Sequence, residues 1–132
     1  MRKIILDTNF LMAVFQFKVD IFSEIERICN FNYRLYVYSR SLAELEKIVN
    51  DQKGKNRKAA KLALQLVKAK NIPMLKSVET YADDAILENA DNDTIVATLD
   101  LDLKRKLLQR GISVIILRQK KYLQLIERKL YK

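Results

Sequence analysis

Apolar and polar positions along this chain of 132 residues switch between two periods, one suited to strands and one to helices. The run Lys3-Ile4-Ile5-Leu6 breaks on Asp7 and predicts a short buried strand. Apolar residues at helical spacing follow, from Phe10 to Phe17 and from Val19 to Cys29. Leu35-Tyr36-Val37-Tyr38 is a second strand-forming run, followed by a helical pattern from Leu42 to Val49. Lys53-Gly54-Lys55-Asn56 reads as a loop, and Lys58 to Lys70 as an amphipathic helix carrying Leu62, Leu66 and Ala69. Ile72-Pro73-Met74-Leu75 predicts a short strand whose proline suits a strand start or an edge. Ala85 to Ala90 is helical, Thr94 to Leu99 a strand, and Leu101 to Gln109 a helix stopped by Gly111. Ile112 to Leu117 is the last strand, and residues 118–132 read as a basic tail of mixed character. Strands alternating with helices predict one three-layer α/β domain, with a parallel sheet of about five strands covered on both faces.

Composition narrows the chemistry. A hydrophobic content of 49% supports a packed core rather than a disordered basic segment. The chain has no His, which removes Ser-His-Asp triads, Cys-His nucleophiles and His-based ribonuclease chemistry. With a single Cys and no His, a zinc site built on those ligands is excluded as well. Cys29 falls in a periodic apolar stretch and reads as packing; a lone thiol fits a reducing, cytoplasmic setting. No apolar run approaches the ~18 residues of a membrane span, and Met1-Arg2-Lys3 leads into a strand rather than a signal peptide.

The net charge of +9 is strongly segregated. Residues 1–52 are balanced, residues 53–81 carry +7, residues 82–103 carry −7 without one basic side chain, and residues 104–132 carry +9. Uncompensated carboxylates at that density repel one another unless a cation neutralises them. A basic protein with an acidic focus suits a polyanion held at the rim and a divalent metal at the centre.

The acids also follow the predicted strands. Asp7 ends the first, Glu44 lies just after the second, Asp83 and Asp84 come after the third, and Asp100 and Asp102 after the fourth. In open α/β sheets ligands bind outside these carboxyl ends. Local alternatives exist: Ser41-x-x-Glu44 matches a capping box, Thr80-x-x-Asp83 has similar spacing, and Asp100 can cap the helix beginning at Leu101. Asp91 and Asp93 read as turn residues. Capping does not account for Asp7, a carboxylate placed directly after an apolar strand, where burial without a partner is costly. Oxygen-only ligation favours Mg²⁺ or Mn²⁺ over zinc, and such an ion lowers the pKa of a bound water for attack on phosphorus.

These residues together resemble the PIN-domain nucleases. The matching pieces are Ile4-Ile5-Leu6-Asp7-Thr8-Asn9, Glu44, Ala82-Asp83-Asp84-Ala85-Ile86, the segment Thr94 to Lys106, and the strand Ile112 to Leu117. The Asp-Asp-Ala-Ile and Ala-Thr-x-Asp-x-Asp-Leu-Lys-Arg segments look closest to the branch that processes ribosomal RNA, including its short archaeal relatives. The resemblance implies a sheet in the order 3-2-1-4-5 and Mg²⁺- or Mn²⁺-dependent cleavage of single-stranded RNA. It implies Asp7, Glu44, Asp83 and Asp100 as catalytic acids and metal ligands, with Asp102 as a further ligand. Asn9 and Thr98 would hydrogen-bond the carboxylates, and Asp84 competes with Asp83 for the third place. Toxins of toxin–antitoxin pairs share these acids. The partners it brings into view are a ribosomal RNA precursor, an antitoxin or ribosome-assembly protein, and a second copy of the chain, to which the apolar stretch from Tyr122 to Ile126 could contribute.

Lys53, Lys55, Arg57, Lys58 and Lys61 form one candidate RNA-contacting surface, and Lys104, Arg105 and Lys106 another, with Lys120 and Lys121 on the tail. Tyr33, Tyr36, Tyr38 and Tyr81 are potential stacking platforms, although core or hydroxyl-anchored roles suit them better. Two rival classes remain: a non-cleaving RNA-binding scaffold in ribosome assembly, and a receiver-like phosphoacceptor, which lacks the acidic pair expected after its first strand.

Overall fold

Ile4, Ile5 and Leu6 are each at most 2% exposed, which a strand achieves only when both of its faces are covered. The computed structural model describes residues 1–76, 86 and 90–127. Its elements run β1 (Arg2–Leu6), α1 (Thr8–Gln16), α2 (Ile21–Ile28), β2 (Tyr33–Tyr38), α3 (Ser39–Asp51), α4 (Lys55–Ala69) and β3 (Met74–Leu75). They continue with β4 (Thr94–Ala97), α5 (Leu101–Gln109), β5 (Ser113–Arg118) and β6 (Tyr122–Ile126). The strands form one sheet in the order β3-β2-β1-β4-β5-β6, parallel throughout except for β6.

Alternation along the strands divides the core in two. Ile4 and Leu6 face one cluster with Phe10, Leu11, Ile25, Leu45 and Ala63, drawn from α1 to α4. Ile5, Val96 and Val114 face the other, with Leu103 and Leu107 of α5 and with Ile86. The expected three layers are therefore present. Right-handed crossovers explain them: growth from β1 toward β3 puts helices on one face, and growth from β4 to β5 in the opposite direction puts α5 on the other. The reversal leaves a crevice at the carboxyl ends of β1 and β4.

Two differences from the sequence reading have local causes. α3 starts at Ser39 directly after β2, with Tyr38 in the N-cap position and no side-chain cap, so no loop separates strand from helix. The segment read as a tail supplies a sixth strand, β6, antiparallel to β5. The connecting turn has Gln119 and Lys120 at positive φ, with the Lys121 amide donating to the Arg118 carbonyl at 2.9 Å. β6 is anchored from outside, because Glu24 accepts from the Leu123 amide and Arg27 donates to the Leu123 carbonyl, both at 2.9 Å. These bonds shield the sheet edge from pairing with another strand.

Gly111, at φ 77°, ends α5 as expected: Ile112 N–H donates to Leu107 O and Gly111 N–H to Leu108 O. α1 and α4 end the same way without glycine, on Lys18 at φ 56° and Asn71 at φ 50°. Cys29 is buried in the first cluster, and desolvation pushes its thiol above the ordinary range, as packing requires.

Candidate active site

The crevice at the β1 and β4 ends is built around Asp7, which is 2% exposed. The register pairing Leu6 with Ala97 continues into the loops: the Asp7 amide donates to Ala97 O, and the Thr98 amide to Ile115 O. That continuation sets the side chain of Thr98 against Asp7, and its hydroxyl donates to Asp7 Oδ2 at 2.8 Å. Asp7 Oδ1 accepts from the Thr8 amide at 2.8 Å. Asp7 also occupies the N-cap position of α1, contrary to the expectation that capping has no part in its placement. The positive end of the helix dipole therefore faces the carboxylate.

Asp100 takes the capping role proposed for it from sequence. It caps α5, and both cap bonds, from Asp102 N–H and Leu103 N–H, fall on Oδ1. Its own amide donates to Thr98 Oγ1 at 3.1 Å. Thr98, 1% exposed, thus links the two acids, as the resemblance implied for a supporting residue. Its hydroxyl proton is committed to Asp7, which leaves the oxygen to accept from Asp100.

Glu44 is not part of a capping box. Because α3 begins at Ser39, Ser41 and Glu44 both lie inside the helix. Ser41 is fully buried, and its hydroxyl has no hydrogen-bond partner among the described residues. Glu44 Oε1 accepts instead from Thr8 Oγ1 at 3.2 Å. Thr8, whose sequence signal was only its place after Asp7, joins the two acids: its amide holds Asp7 and its hydroxyl holds Glu44.

Asp102 takes a different role. Exposed at the start of α5, it pairs with Arg105 at 2.6 Å and Lys106 at 3.0 Å. The hydrogen bond from Arg105, then that from Lys106, holds its carboxyl below the usual range. The expected further ligand and two of the expected RNA cations are thus bound to one another. Asp83 and Asp84, the two candidates for the third acid, lie outside the described residues, as does Tyr81. Asn9 is exposed on α1 and lines a cleft beside the acids. Asp91 is a turn residue, accepting from the Asp93 amide and the Thr94 hydroxyl at 2.9 Å. Tyr38 is in the core, Tyr36 packs against it, and Tyr33 meets the edge of Phe31.

The donor set is oxygen only: carboxylates from Asp7, Glu44 and Asp100, with the Thr98 hydroxyl on Asp7 and the Thr8 hydroxyl on Glu44. That chemistry fits a hard divalent cation such as Mg²⁺ or Mn²⁺. Among the described residues, no three carboxylates converge closely enough to hold an ion by themselves.

The basic surface lies across the α3–α4 connection. Lys53, Lys55, Arg57, Lys58 and Lys61 are all exposed. α4 starts on Gly54 at φ 72°, with no side-chain cap and no acid in its first turn. Cations at a helix N-terminus oppose the dipole, so this arrangement works against the helix and favours an anion from outside. No helix among the described residues is long and apolar enough to cross a membrane.

The chain is 42% identical over 129 residues to ribonuclease VapC4 of Methanocaldococcus jannaschii, covering 95% of this chain and 97% of that protein. It is 33% identical over 122 residues to ribonuclease VapC9 of Archaeoglobus fulgidus, covering 91% and 86% respectively. Among solved structures, the PIN domain endonuclease Utp24 superposes with a TM-score of 0.78 at 26% identity, over 97% of this chain and 92% of that one. Residues 4–120 match the PIN like domain, a span that runs from within β1 past the end of β5, and the chain belongs to that family.

Proposed function

We propose that the protein is a metal-dependent endoribonuclease that cleaves single-stranded RNA at the carboxyl ends of β1 and β4. The observation that carries this reading is the buried Asp7, joined through Thr98 to Asp100 and through Thr8 to Glu44. Likeness to two archaeal ribonucleases and a PIN endonuclease supports it.

Asp7, Glu44 and Asp100 would hold Mg²⁺ or Mn²⁺, with Asp83 or Asp84 as the fourth acid and Asp102 at the margin. Bound there, the ion supplies activated water and neutralises the charge that develops on the phosphate. Thr98 fixes the orientation of Asp7, so the carboxylate does not have to find its geometry when the substrate arrives. Thr8 does the same for Glu44. Lys53, Lys55, Arg57 and Lys58 hold flanking phosphates, and Lys104 extends the rim beside Arg105 and Lys106. Contacts of this kind position the strand without reading its sequence.

A ribosomal RNA precursor is the substrate class suggested by the segments around Asp83 and Asp100. A toxin of a toxin–antitoxin pair, with an antitoxin as partner, is a second reading, favoured by the near full-length likeness to the two archaeal VapC ribonucleases. Incubation with labelled single-stranded RNA, in Mn²⁺ or in EDTA, tests the shared chemistry. Cleavage in Mn²⁺ that disappears in EDTA and in Asp7→Asn, with RNA binding retained, is the expected result. Binding without cleavage in any metal would favour a scaffold in ribosome assembly.

A further inference from the structure

Beside the acids lies a cleft of about 370 Å³ between α1, the end of α3 and the start of α4. Its floor is apolar, formed by Met12, Ile48 and Leu99. Asn9, Gln16, Gln52 and Asn56 supply its polar groups, four of the fourteen carboxamides in the chain. No lining residue is charged, although 31% of the chain is. With no charged side chain in its lining, the cleft itself has little to hold a phosphate or a metal ion; the Lys120 ammonium at its margin lies over the Phe17 ring, 5.2 Å from the ring centre. The chemistry of the cleft suits a flat, neutral group with apolar faces and hydrogen-bonding edges.

The carboxamides are connected. Gln16 Nε2 donates to Asn56 Oδ1 at 3.4 Å, and Asn56 Nδ2 donates to Gln52 Oε1 at 2.9 Å. In that sense the row ends in an acceptor, Gln16 Oε1, and a donor, Gln52 Nε2. Together those two ends present the acceptor and the donor that a base edge requires, and Asn56 holds them in place. Phe17, 38% exposed, adds an aromatic ring to the lining. Unpaired RNA bases are recognised by this combination of edge bonding and stacking.

The position of the cleft is as informative as its lining. Asn9 lies two residues after Asp7, and Leu99 lies between Thr98 and Asp100. At its other end Gln16 is shared with a second cleft of about 320 Å³, lined by Phe15, Ala59 and Leu62 together with Lys18, Lys55 and Lys58. Asn9 and Gln16 are seven residues apart on α1, about 10 Å at the helical rise. Acids, amides and lysines therefore follow one another along a single path.

We propose that the amide-lined cleft is a nucleobase subsite, which reads one base of the RNA next to the phosphate held at the acids. The following phosphate lies on Lys18, Lys55 and Lys58. The proposal rests on the endoribonuclease reading and adds sequence selectivity to it, through Gln52 and Asn56 as specificity-determining residues.

The test is cleavage of a random-sequence single-stranded RNA pool by the full chain in Mn²⁺, with the new ends sequenced. Wild type should show one position beside the cut with a base preference of about 5–150-fold, the range of a good bidentate contact. Gln52→Ala and Asn56→Ala should flatten that position at least fivefold while the melting temperature stays near wild type. Gln65→Ala, on the opposite side of α4, should keep the preference. A wild type without bias, or a bias that both alanine variants retain, would overturn the subsite. If wild type does not cleave at all, the nuclease reading fails separately, and the subsite is judged by binding of four short homo-oligonucleotides. Base-selective binding lost in Asn56→Ala would then uphold it, and equal binding of all four would overturn it.

Discussion

Two ends of the sheet use carboxylates in opposite ways. At the edge, Glu24 accepts from Arg27 and from the Leu123 amide, and Arg27 reaches the Leu123 carbonyl. The hydrogen bond from Arg27, and then that from Leu123, pulls the Glu24 carboxyl below its usual range. This acid is fully engaged in holding β6. At the centre, Asp7 meets a backbone amide and a hydroxyl, Thr98 passes the connection to Asp100, and Glu44 is held through Thr8. The guanidinium pairs with the charge of the edge carboxylate, whereas the hydroxyl and amide contacts at the centre fix how theirs are oriented. The edge acid staples the fold, and the central acids are the ones the proposed function assigns to a ligand.

Removing the central charge should have the largest effect. Asp7→Asn keeps a capping side chain but loses the anion, so cleavage of single-stranded RNA should fall by at least ~100-fold, beyond the loss typical of an outer-shell change. A single-turnover assay on a circular-dichroism-checked protein measures it. Thr98→Val comes next: it removes the hydroxyl between Asp7 and Asp100, and the rate should drop by about 10–100-fold. Thr98→Ser should recover most of that rate, which a purely steric role for the threonine methyl would not allow.

The edge should respond in stability rather than rate. Glu24→Gln weakens three bonds to an ionised acceptor, two from Arg27 and one from the Leu123 amide, and should cost about 1 kcal/mol, with cleavage retained. The sign with pH follows from the lowered carboxyl. Its stabilisation is present above the unfolded value of about 4.5 and is lost as pH falls through the lower folded value. Urea titrations from pH 7 down to pH 3 should therefore show a shallower acid loss in Glu24→Gln than in wild type. Asp102→Asn should have the smallest effect. Its exposed pairs with Arg105 and Lys106 contribute little, so cleavage should fall by less than tenfold, and RNA affinity should rise at low salt as the two cations are released.

The same contrast explains what could be read from the sequence. Asp7 and Asp100 follow predicted strands, so their side of the sheet was legible from pattern, whereas Thr98 was read as part of a strand and came into view only through the family resemblance. The capping box at Ser41 was misleading because α3 starts two residues earlier, on an N-cap tyrosine that carries no recognisable signal. β6 was hidden by its turn: Gln119 and Lys120 adopt positive φ, where Gly or Asn would have announced a hairpin. Period-2 alternation was present in Tyr122-Leu123-Gln124-Leu125, but without a turn signal it read as a tail. The amide row joins α1, the C-cap residue of α3 and α4; Gln52 and Asn56 are near neighbours in sequence, but no spacing along the chain brings Gln16 to them.

The central claim is that the acids at the β1 and β4 ends gather a divalent cation, and Mn²⁺ binding followed by electron paramagnetic resonance tests it most directly. Wild type and Glu24→Gln should show the same saturable binding, which Asp7→Asn and Asp100→Asn should each lose. Equal Mn²⁺ binding in all four proteins would contradict the account.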